Sequence, residues 1–239
     1  MKEDFDNNNN INNNNEIKLI NEEESKPPQK KKKKKDIKII IVGNSNTGKT
    51  SFVNKYIYNK FAQTYSPTIV SQFAYKIVKI KNEVYRLQFW DIAGQDKNPE
   101  VTKIFCQYTQ GIILFCEVNK IETRNDTIKW KECIQKNIDL DKIPIILIEN
   151  KCDLLGENEK KFNENLNELN SFEENNKINK CFRVSALNGF NVEESINFLV
   201  NEIIDIQGGT FTQERKESIK LKKEVHQVQI RKQENNKCC

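Results

Sequence analysis

Residues 43–50 read Gly-Asn-Ser-Asn-Thr-Gly-Lys-Thr and directly follow an apolar run from Ile37 to Val42. This is the pattern Gly-x-x-x-x-Gly-Lys-[Ser/Thr] of a phosphate-binding loop, in the strand-to-helix context that the pattern requires. The glycines let the backbone wrap a polyphosphate, with the N–H groups pointing inward. Lys49 adds a positive charge near the β- and γ-phosphates, and the Thr50 hydroxyl is an oxygen ligand suited to Mg²⁺. The stretch therefore predicts a nucleotide-binding fold. The residues expected at the phosphates are Gly43, Asn44, Ser45, Asn46, Thr47, Gly48, Lys49, Thr50 and Ser51.

Strand and helix patterns alternate from Asp36 to about Ile206. Apolar stretches predict six strands, at Ile37–Val42, Phe73–Ile80, Val84–Trp90, Ile112–Val118, Ile145–Glu149 and Cys181–Ser185. Helical periodicity predicts five helices, at Lys49–Tyr58, Glu100–Tyr108, Thr123–Asn137, Glu159–Asn175 and Val192–Ile206. The short connection between the second and third predicted strands indicates an antiparallel hairpin. The other connections contain helices and indicate parallel crossovers. We therefore expect an α/β fold: a six-stranded, mostly parallel sheet with one antiparallel edge strand and helices on both faces.

Composition divides the chain into three parts. We expect residues 1–35, rich in Asn and Lys, to be a disordered extension, residues 36–206 to be the folded domain, and residues 207–239 to be a variable basic tail. Their formal net charges are +2, −1 and +4, within a total of +5. A nearly neutral domain with basic tails does not suggest a nucleic-acid partner, but it suits an anionic membrane surface. The run Lys30–Lys35 is a nuclear signal, a membrane contact or a solvated charge block.

Other classes of protein are disfavoured by what the chain does not contain. No run approaches 18 apolar residues, and the N-terminus does not resemble a secretory signal. Five cysteines are scattered without metal-ligand spacing, which fits a reducing compartment. They are Cys106, Cys116, Cys133, Cys152 and Cys181.

The base is indicated by Asn150-Lys151-Cys152-Asp153, which follows a predicted strand. This stretch resembles the Asn-Lys-x-Asp motif with which small GTPases recognise guanine. A carboxylate at Asp153 can accept hydrogen bonds from N1–H and the 2-amino group of guanine, whereas adenine offers no matching donor pair. Asn150 can tie this loop to the phosphate loop, and the aliphatic stem of Lys151 can cover the base.

Three further stretches match the same family. Asp91-Ile92-Ala93-Gly94-Gln95 resembles its Asp-x-Ala-Gly-Gln element, residues 61–68 resemble its first switch loop, and Ser185-Ala186-Leu187 resembles its Ser-Ala-Lys segment. Residues 36–206 are therefore similar to a Ras-superfamily small GTPase, which implies the P-loop GTPase fold with GTP or GDP and Mg²⁺ bound.

The resemblance also implies individual roles. Thr50, Thr68 and Asp91 would hold Mg²⁺, with Asp91 acting through water. Gln95 would orient the attacking water while Lys49 neutralises charge, so these two are the catalytic candidates. Phe61 would stack on guanine, and a backbone amide of the Ser185-Ala186-Leu187 segment would contact its O6. The remaining nucleotide contacts implied are Tyr65, Gly94, Asn150, Lys151 and Asp153.

The Rab branch fits best. The chain ends in Cys238-Cys239, which resembles the double geranylgeranyl site of Rab proteins. Phe73, Trp90 and Phe105 occupy positions where Rab proteins carry effector-binding aromatics, although core packing is an equal alternative. Ile92, in place of the usual Thr, and the stretch Ile128-Lys129-Trp130 resemble the subgroup linked to lysosome-related organelles and phagosomes.

Several positions depart from the family pattern. Asn46 replaces a glycine of the phosphate loop, and we expect it to close the loop because Asn tolerates left-handed geometry. Leu187 replaces Lys, and Val70 replaces Gly. In the second switch, Asp96-Lys97 replaces Glu-Arg and Asn98 replaces an aromatic. These changes affect the identity of partners more than nucleotide binding.

The resemblance implies a GTP/GDP-switched regulator of vesicle or organelle traffic with slow intrinsic GTP hydrolysis. Its partners would be effectors, an exchange factor, a GTPase-activating protein, and prenylation and extraction chaperones. We expect a monomer that cycles between the cytosol and the cytosolic face of endosomal, phagosomal or lysosome-related membranes. Two alternatives remain: a GTP-loaded scaffold that hydrolyses little, suggested by the altered second switch, and a P-loop nucleotide kinase or ATPase, which the guanine motif disfavours.

Overall fold

The central sheet of the computed structural model has six strands in the order β2-β3-β1-β4-β5-β6. β2 is an edge strand antiparallel to β3, and every other neighbouring pair is parallel. The predicted sheet, with its one antiparallel edge strand, is therefore confirmed. The strands are β1 Lys35–Gly43, β2 Gln72–Ile80, β3 Glu83–Asp91, β4 Gly111–Glu117, β5 Ile145–Asn150 and β6 Lys180–Val184.

The structure describes residues 34–62, 67–68, 71–94, 99–156 and 166–206, with the backbone alone at 99–102 and 166–167. Four predicted site residues lie outside this part of the chain: Tyr65, Gln95, Cys238 and Cys239. The predicted tail and almost all of the predicted N-terminal extension also lie outside it.

Five α-helices occur within the described residues. Two have the predicted bounds, and α2 and α3 begin and end one or two residues earlier than predicted. α2 ends at Cys106 because Tyr108 has a left-handed φ of 58°, which no helix continues. The predicted start of α4, at Glu159, lies outside the described residues. The helices are α1 Lys49–Tyr58, α2 Pro99–Cys106, α3 Ile121–Gln135, α4 Leu166–Asn175 and α5 Val192–Ile206.

The helices cover both faces of the sheet, as predicted. Side chains of β1 alternate between two apolar cores because successive residues of a strand point to opposite faces. Ile39 and Ile41 pack in the core that contains Phe52 of α1 and Ile196 of α5. Ile40 packs in the other core, with residues of α2, α3 and α4. No helix in the described ranges is long and apolar enough to cross a membrane.

The five parallel strands end at the same edge of the sheet, and this edge carries the candidate site. β1 leads into the phosphate loop, β3 ends at Asp91, β5 ends at Asn150, and β6 ends one residue before Ser185. Ligands of open α/β sheets bind outside the carboxyl ends of the strands. The fold therefore brings together motifs that are far apart in the sequence.

Candidate functional site

A cleft of about 500 Å³ lies at this edge. Its wall combines the phosphate loop, part of the first switch, the start of the second switch and both segments expected at the base. The predicted site residues that line it are Ser45, Asn46, Gly48, Lys49, Thr50, Ser51, Phe61, Thr68, Gly94, Asn150, Lys151, Asp153, Ala186 and Leu187. Asn54, Ala62, Pro67 and Gln72 also line it. Ala62 and Pro67 belong to the first switch loop, whereas Asn54 and Gln72 lie outside the quoted motifs. Sequence reasoning assigned none of the four to the nucleotide site.

The phosphate loop has the geometry of an anion site. Asn46 adopts a left-handed φ of 63°, which confirms that Asn closes the loop in place of Gly. Gly48 precedes α1 with a φ of 93°, and no side chain caps the helix. The first N–H groups of α1 therefore have no side-chain acceptor at the end of the helix that attracts anions.

Lys49 is buried beneath this loop and is 6 % exposed. Its Nζ donates to the carbonyl oxygens of Gly43 at 2.9 Å and Asn44 at 3.0 Å. Burial lowers the pKa of Lys49, and the nearby charge of Asp91 opposes that shift. A phosphate group would supply the negative charge that favours the ammonium form.

Three oxygen-bearing side chains meet beside Lys49. Thr50 Oγ1 donates to Asp91 Oδ2 and lies 2.8 Å from Thr68 Oγ1. Asp91 is 2 % exposed, and its Oδ1 is buried without a hydrogen-bond partner. Burial raises the pKa of Asp91, against the opposing effects of the Thr50 hydrogen bond and the Lys49 charge. Two hydroxyls and a carboxylate with an unpaired oxygen fit Mg²⁺, which prefers oxygen ligands.

Asn150 joins the two ends of the cleft. Its Nδ2 donates to the Thr47 carbonyl oxygen at 2.9 Å, and its Oδ1 accepts from the Ala186 N–H at 3.1 Å. Asn150 is 1 % exposed. The predicted tie between the base-recognition loop and the phosphate loop is therefore present. The expected contact between guanine O6 and an amide of residues 185–187 stays a prediction.

The end of the cleft that is expected to hold the base has a partly exposed carboxylate. Asp153 lines the cleft, and its Oδ1 accepts from the Ser185 hydroxyl, which is fully buried. Ser185 therefore orients the carboxylate from behind. Leu187 is 50 % exposed at the rim, where an apolar side chain can pack against a base.

Glu117, at the end of β4, supports the cleft through Lys151, and sequence reasoning missed it. It accepts from Lys151 Nζ at 2.8 Å and from Lys120 Nζ at 3.2 Å. Burial alone raises the pKa of Glu117, but the two lysines outweigh it and the pKa is lowered. The ion pair holds the Lys151 ammonium group at the end of β4. Lys151 itself lines the cleft. No local motif signals this partner, because it comes from another strand.

The three aromatic residues expected at an effector surface are in contact with one another. The Phe73 and Trp90 ring centroids are 5.1 Å apart, and those of Trp90 and Phe105 are 6.1 Å apart. Phe73 is 38 % exposed, whereas Trp90 and Phe105 are 2 % and 4 % exposed. The partly exposed Phe73 ring thus packs on the buried Trp90, which in turn packs against Phe105. A role in effector binding stays a prediction.

Comparisons with known proteins agree with this geometry. Residues 38–205 match the model of the family described as the Ras family. The chain is 32 % identical over 203 residues to Ras-related protein Rab-32C of Dictyostelium discoideum, covering 85 % of this chain and 88 % of the relative. It is 34 % identical over 173 residues to Rab-32A of the same organism, covering 70 % and 77 %. It is 28 % identical over 206 residues to Rab-32 of Homo sapiens, covering 84 % and 88 %.

Proposed function

This chain belongs to the Ras family of small GTPases and to its Rab branch, and we propose that it recognises guanine through Asp153 and switches between GTP- and GDP-bound states in the cleft described above. It is a GTP hydrolase that regulates membrane traffic. The observation that carries the site assignment is the side chain of Asn150, which bonds to both the phosphate loop and the Ala186 backbone. Phosphate and base recognition thereby share one rigid support.

Hydrolysis in this family depends on positioning and charge neutralisation more than on covalent chemistry. Lys49, the N–H groups of the loop and the start of α1 surround the expected position of the phosphates. Thr50, Thr68 and Asp91 would hold Mg²⁺, which neutralises charge on the phosphate oxygens when bound. Gln95 would orient the attacking water. An activating protein accelerates hydrolysis by Ras about 10⁵-fold, and we expect a comparable dependence here.

The proposed cellular context follows from the Rab-32 relatives. We propose that the protein acts on lysosome-related, endosomal or phagosomal membranes through isoprenoids on Cys238 and Cys239. Effectors would contact Phe73 and the residues around it. An exchange factor, an activating protein, and prenylation and extraction chaperones would complete the cycle of a monomer.

The first experiment identifies the bound nucleotide. Purified protein is denatured, and the released nucleotide is identified by mass. We expect GDP or GTP in a ratio near one per chain. Adenine nucleotides would instead favour the kinase or ATPase alternative, as would ATP that competes with labelled GTP at equal concentration.

The second experiment tests Asp153. In Asp153→Asn, the side-chain amide can donate a hydrogen bond to the 2-oxo group of xanthine. Guanine carries an amine at this position, and because the amine is also a donor, the amide N–H cannot pair with it. We expect GDP affinity to fall at least about a hundredfold and xanthosine diphosphate affinity to rise. The exposed Asp205, on α5, gives the control Asp205→Asn, which should leave both affinities unchanged. An unaltered preference for GDP in Asp153→Asn would remove Asp153 from base recognition.

A further inference from the structure

Asn44, in the phosphate loop, bonds by its side chain to helix α3, and it does not line the nucleotide cleft. Its Nδ2 donates to Asp126 Oδ2 at 2.7 Å, and its Oδ1 accepts from Trp130 Nε1 at 3.4 Å. Asp126 and Trp130 are four residues apart, so they lie on one face of α3. Trp130 is 1 % exposed, which fixes the indole donor in the core.

The backbone of Asn44 supports groups that the proposed function needs. Its carbonyl oxygen accepts from Lys49 Nζ at 3.0 Å and from Thr47 Oγ1 at 2.9 Å. Gly94, at the start of the second switch, packs against the same stretch of loop. A methyl group at Gly94 would lie 2.6 Å from the carbonyl carbon of Asn44 and 2.3 Å from the amide nitrogen of Ser45. A shift of Asn44 would therefore disturb both Lys49 and the contact with Gly94.

Building on the proposed guanine-nucleotide function, we propose that Asn44, Asp126 and Trp130 form an α3 clamp that positions the phosphate loop and slows nucleotide release. Asn44 is its positioning residue, since it acts on the nucleotide through Lys49 and the backbone of the loop. The clamp links α3 to the phosphates without touching them.

The chemistry of the α3 clamp requires a carboxamide at residue 44. An amide can donate to the Asp126 carboxylate and accept from the Trp130 indole at the same time. A carboxylate at residue 44 would face that of Asp126 at hydrogen-bond distance, with repulsion and no shared proton. Lys129 Nζ, which lies 2.6 Å from Asp126 Oδ1 on the solvent side, would offset this repulsion only in part.

The test compares Asn44→Asp, Asp126→Asn and the reciprocal double variant, all loaded with fluorescent GDP. In the double variant, the carboxylate at residue 44 can accept from both the indole and the amide at residue 126. We expect Asn44→Asp to release GDP at least about tenfold faster than the parent, and the double variant to return to within about threefold. Trp130→Phe removes the indole N–H and keeps an aromatic ring, and it should also accelerate release. Asn137→Asp, two residues beyond the C-terminus of α3, is the matched control and should release GDP at the parent rate.

Melting temperatures are measured on the same samples. If the double variant releases GDP as fast as Asn44→Asp, the pairing with Asp126 is not the cause and the proposal fails. If Asn44→Asp melts at a lower temperature but releases GDP at the parent rate, Asn44 has only a structural role and the proposal also fails. Should Asn44→Asp not fold, the release rate of Trp130→Phe decides. If the parent binds no guanine nucleotide, both the proposed function and the α3 clamp are overturned. If the parent retains GDP and all the variants release it at the parent rate, only the clamp is overturned.

Discussion

At the scale of single residues, Gly48 occupies a position where any side chain would collide with a neighbouring residue. Its φ is 93°, and a methyl group there would lie 2.3 Å from Asn150 Nδ2. We expect Gly48→Ala to displace Asn150 from Thr47 and to weaken GDP binding at least about tenfold. The measurement is the GDP dissociation constant.

Gly189 provides the matched control for Gly48. Its φ is 94°, so an alanine suffers similar backbone strain, but the methyl group would meet only the flexible end of Lys55, at 3.0 Å. Gly189→Ala should lower the stability and leave GDP affinity within about threefold of the parent. Equal losses of affinity in the two variants would show that strain alone, and not the contact with Asn150, explains the effect.

Lys38 carries a buried amine that makes stability depend on pH. Burial lowers the pKa of Lys38 to about 7, and the nearby Cys106 opposes the shift. Its Nζ also donates to the Gln107 carbonyl oxygen at 2.7 Å and lies 4.5 Å from the centre of the Trp90 ring. Between the folded pKa and the ordinary value of 10.5, the unfolded chain binds a proton that the folded chain does not. Stability should therefore rise with pH across this window.

We expect the free energy of unfolding of the GDP-loaded parent to increase by about 1–2 kcal/mol from about pH 7 to about pH 8.5, and that of Lys38→Met to increase less. Urea denaturation at fixed GDP concentration measures both. Burial raises the pKa of Cys106 from the ordinary 9.0 to about 12, so this thiol lowers the stability above about pH 9. The comparison therefore stops at about pH 8.5. Parallel pH profiles for the two proteins would refute the assignment to Lys38.

At the scale of elements, a buried ion pair joins β5 to β6 just before the two loops that are proposed to recognise the base. Glu149 and Arg183 are register partners, with Arg183 Nε donating to Glu149 Oε2 at 2.8 Å. Arg124 of α3 lies 3.6 Å from the other carboxylate oxygen. Glu149 directly precedes Asn150, and Arg183 lies two residues before Ser185. The pair therefore sets the relative position of both loops.

Glu149→Gln keeps the shape of the side chain and removes the charge that two buried guanidinium groups share. We expect it to lower the free energy of unfolding by about 3–5 kcal/mol. Asp205→Asn is the matched acid-to-amide control, since Asp205 and Lys81 form an exposed pair at 3.6 Å, and its loss should be at most about 1 kcal/mol. Urea denaturation at fixed GDP concentration distinguishes them, and losses of equal size would contradict a buried role for Glu149.

At the scale of the whole molecule, membrane attachment is proposed to depend on the last two residues. One lipid chain gives marginal, reversible attachment, so both cysteines should be required. We expect the parent, prenylated in a eukaryotic extract, to carry two isoprenoids and to float with anionic vesicles. Cys238→Ser and Cys239→Ser should each carry one and remain mostly unbound, whereas Cys133→Ser, on α3, should behave like the parent. Intact mass and vesicle flotation measure this, and a parent that gains no lipid would contradict it.

The amino-acid sequence by itself determined the family, the relative directions of the strands and most of the residues around the cleft. Each of these depends on a contiguous stretch: a phosphate loop after a strand, Asn150-Lys151-Cys152-Asp153 after another, and a short hairpin connection between the second and third strands. Local chemistry and periodicity suffice for such features, because the residues that define them are neighbours in the chain.

Only the tertiary structure decided which distant residues support these motifs. Glu117 pairs with Lys151 across 34 positions, and Asn44 bonds to Asp126 across 82. It also decided that Trp90 is buried while Phe73 remains partly exposed, since this depends on which part of the sheet the helices cover. Such contacts arise when parallel strands and their crossover helices converge at one edge of the sheet. No pattern along the chain specifies a side chain's partner at that distance.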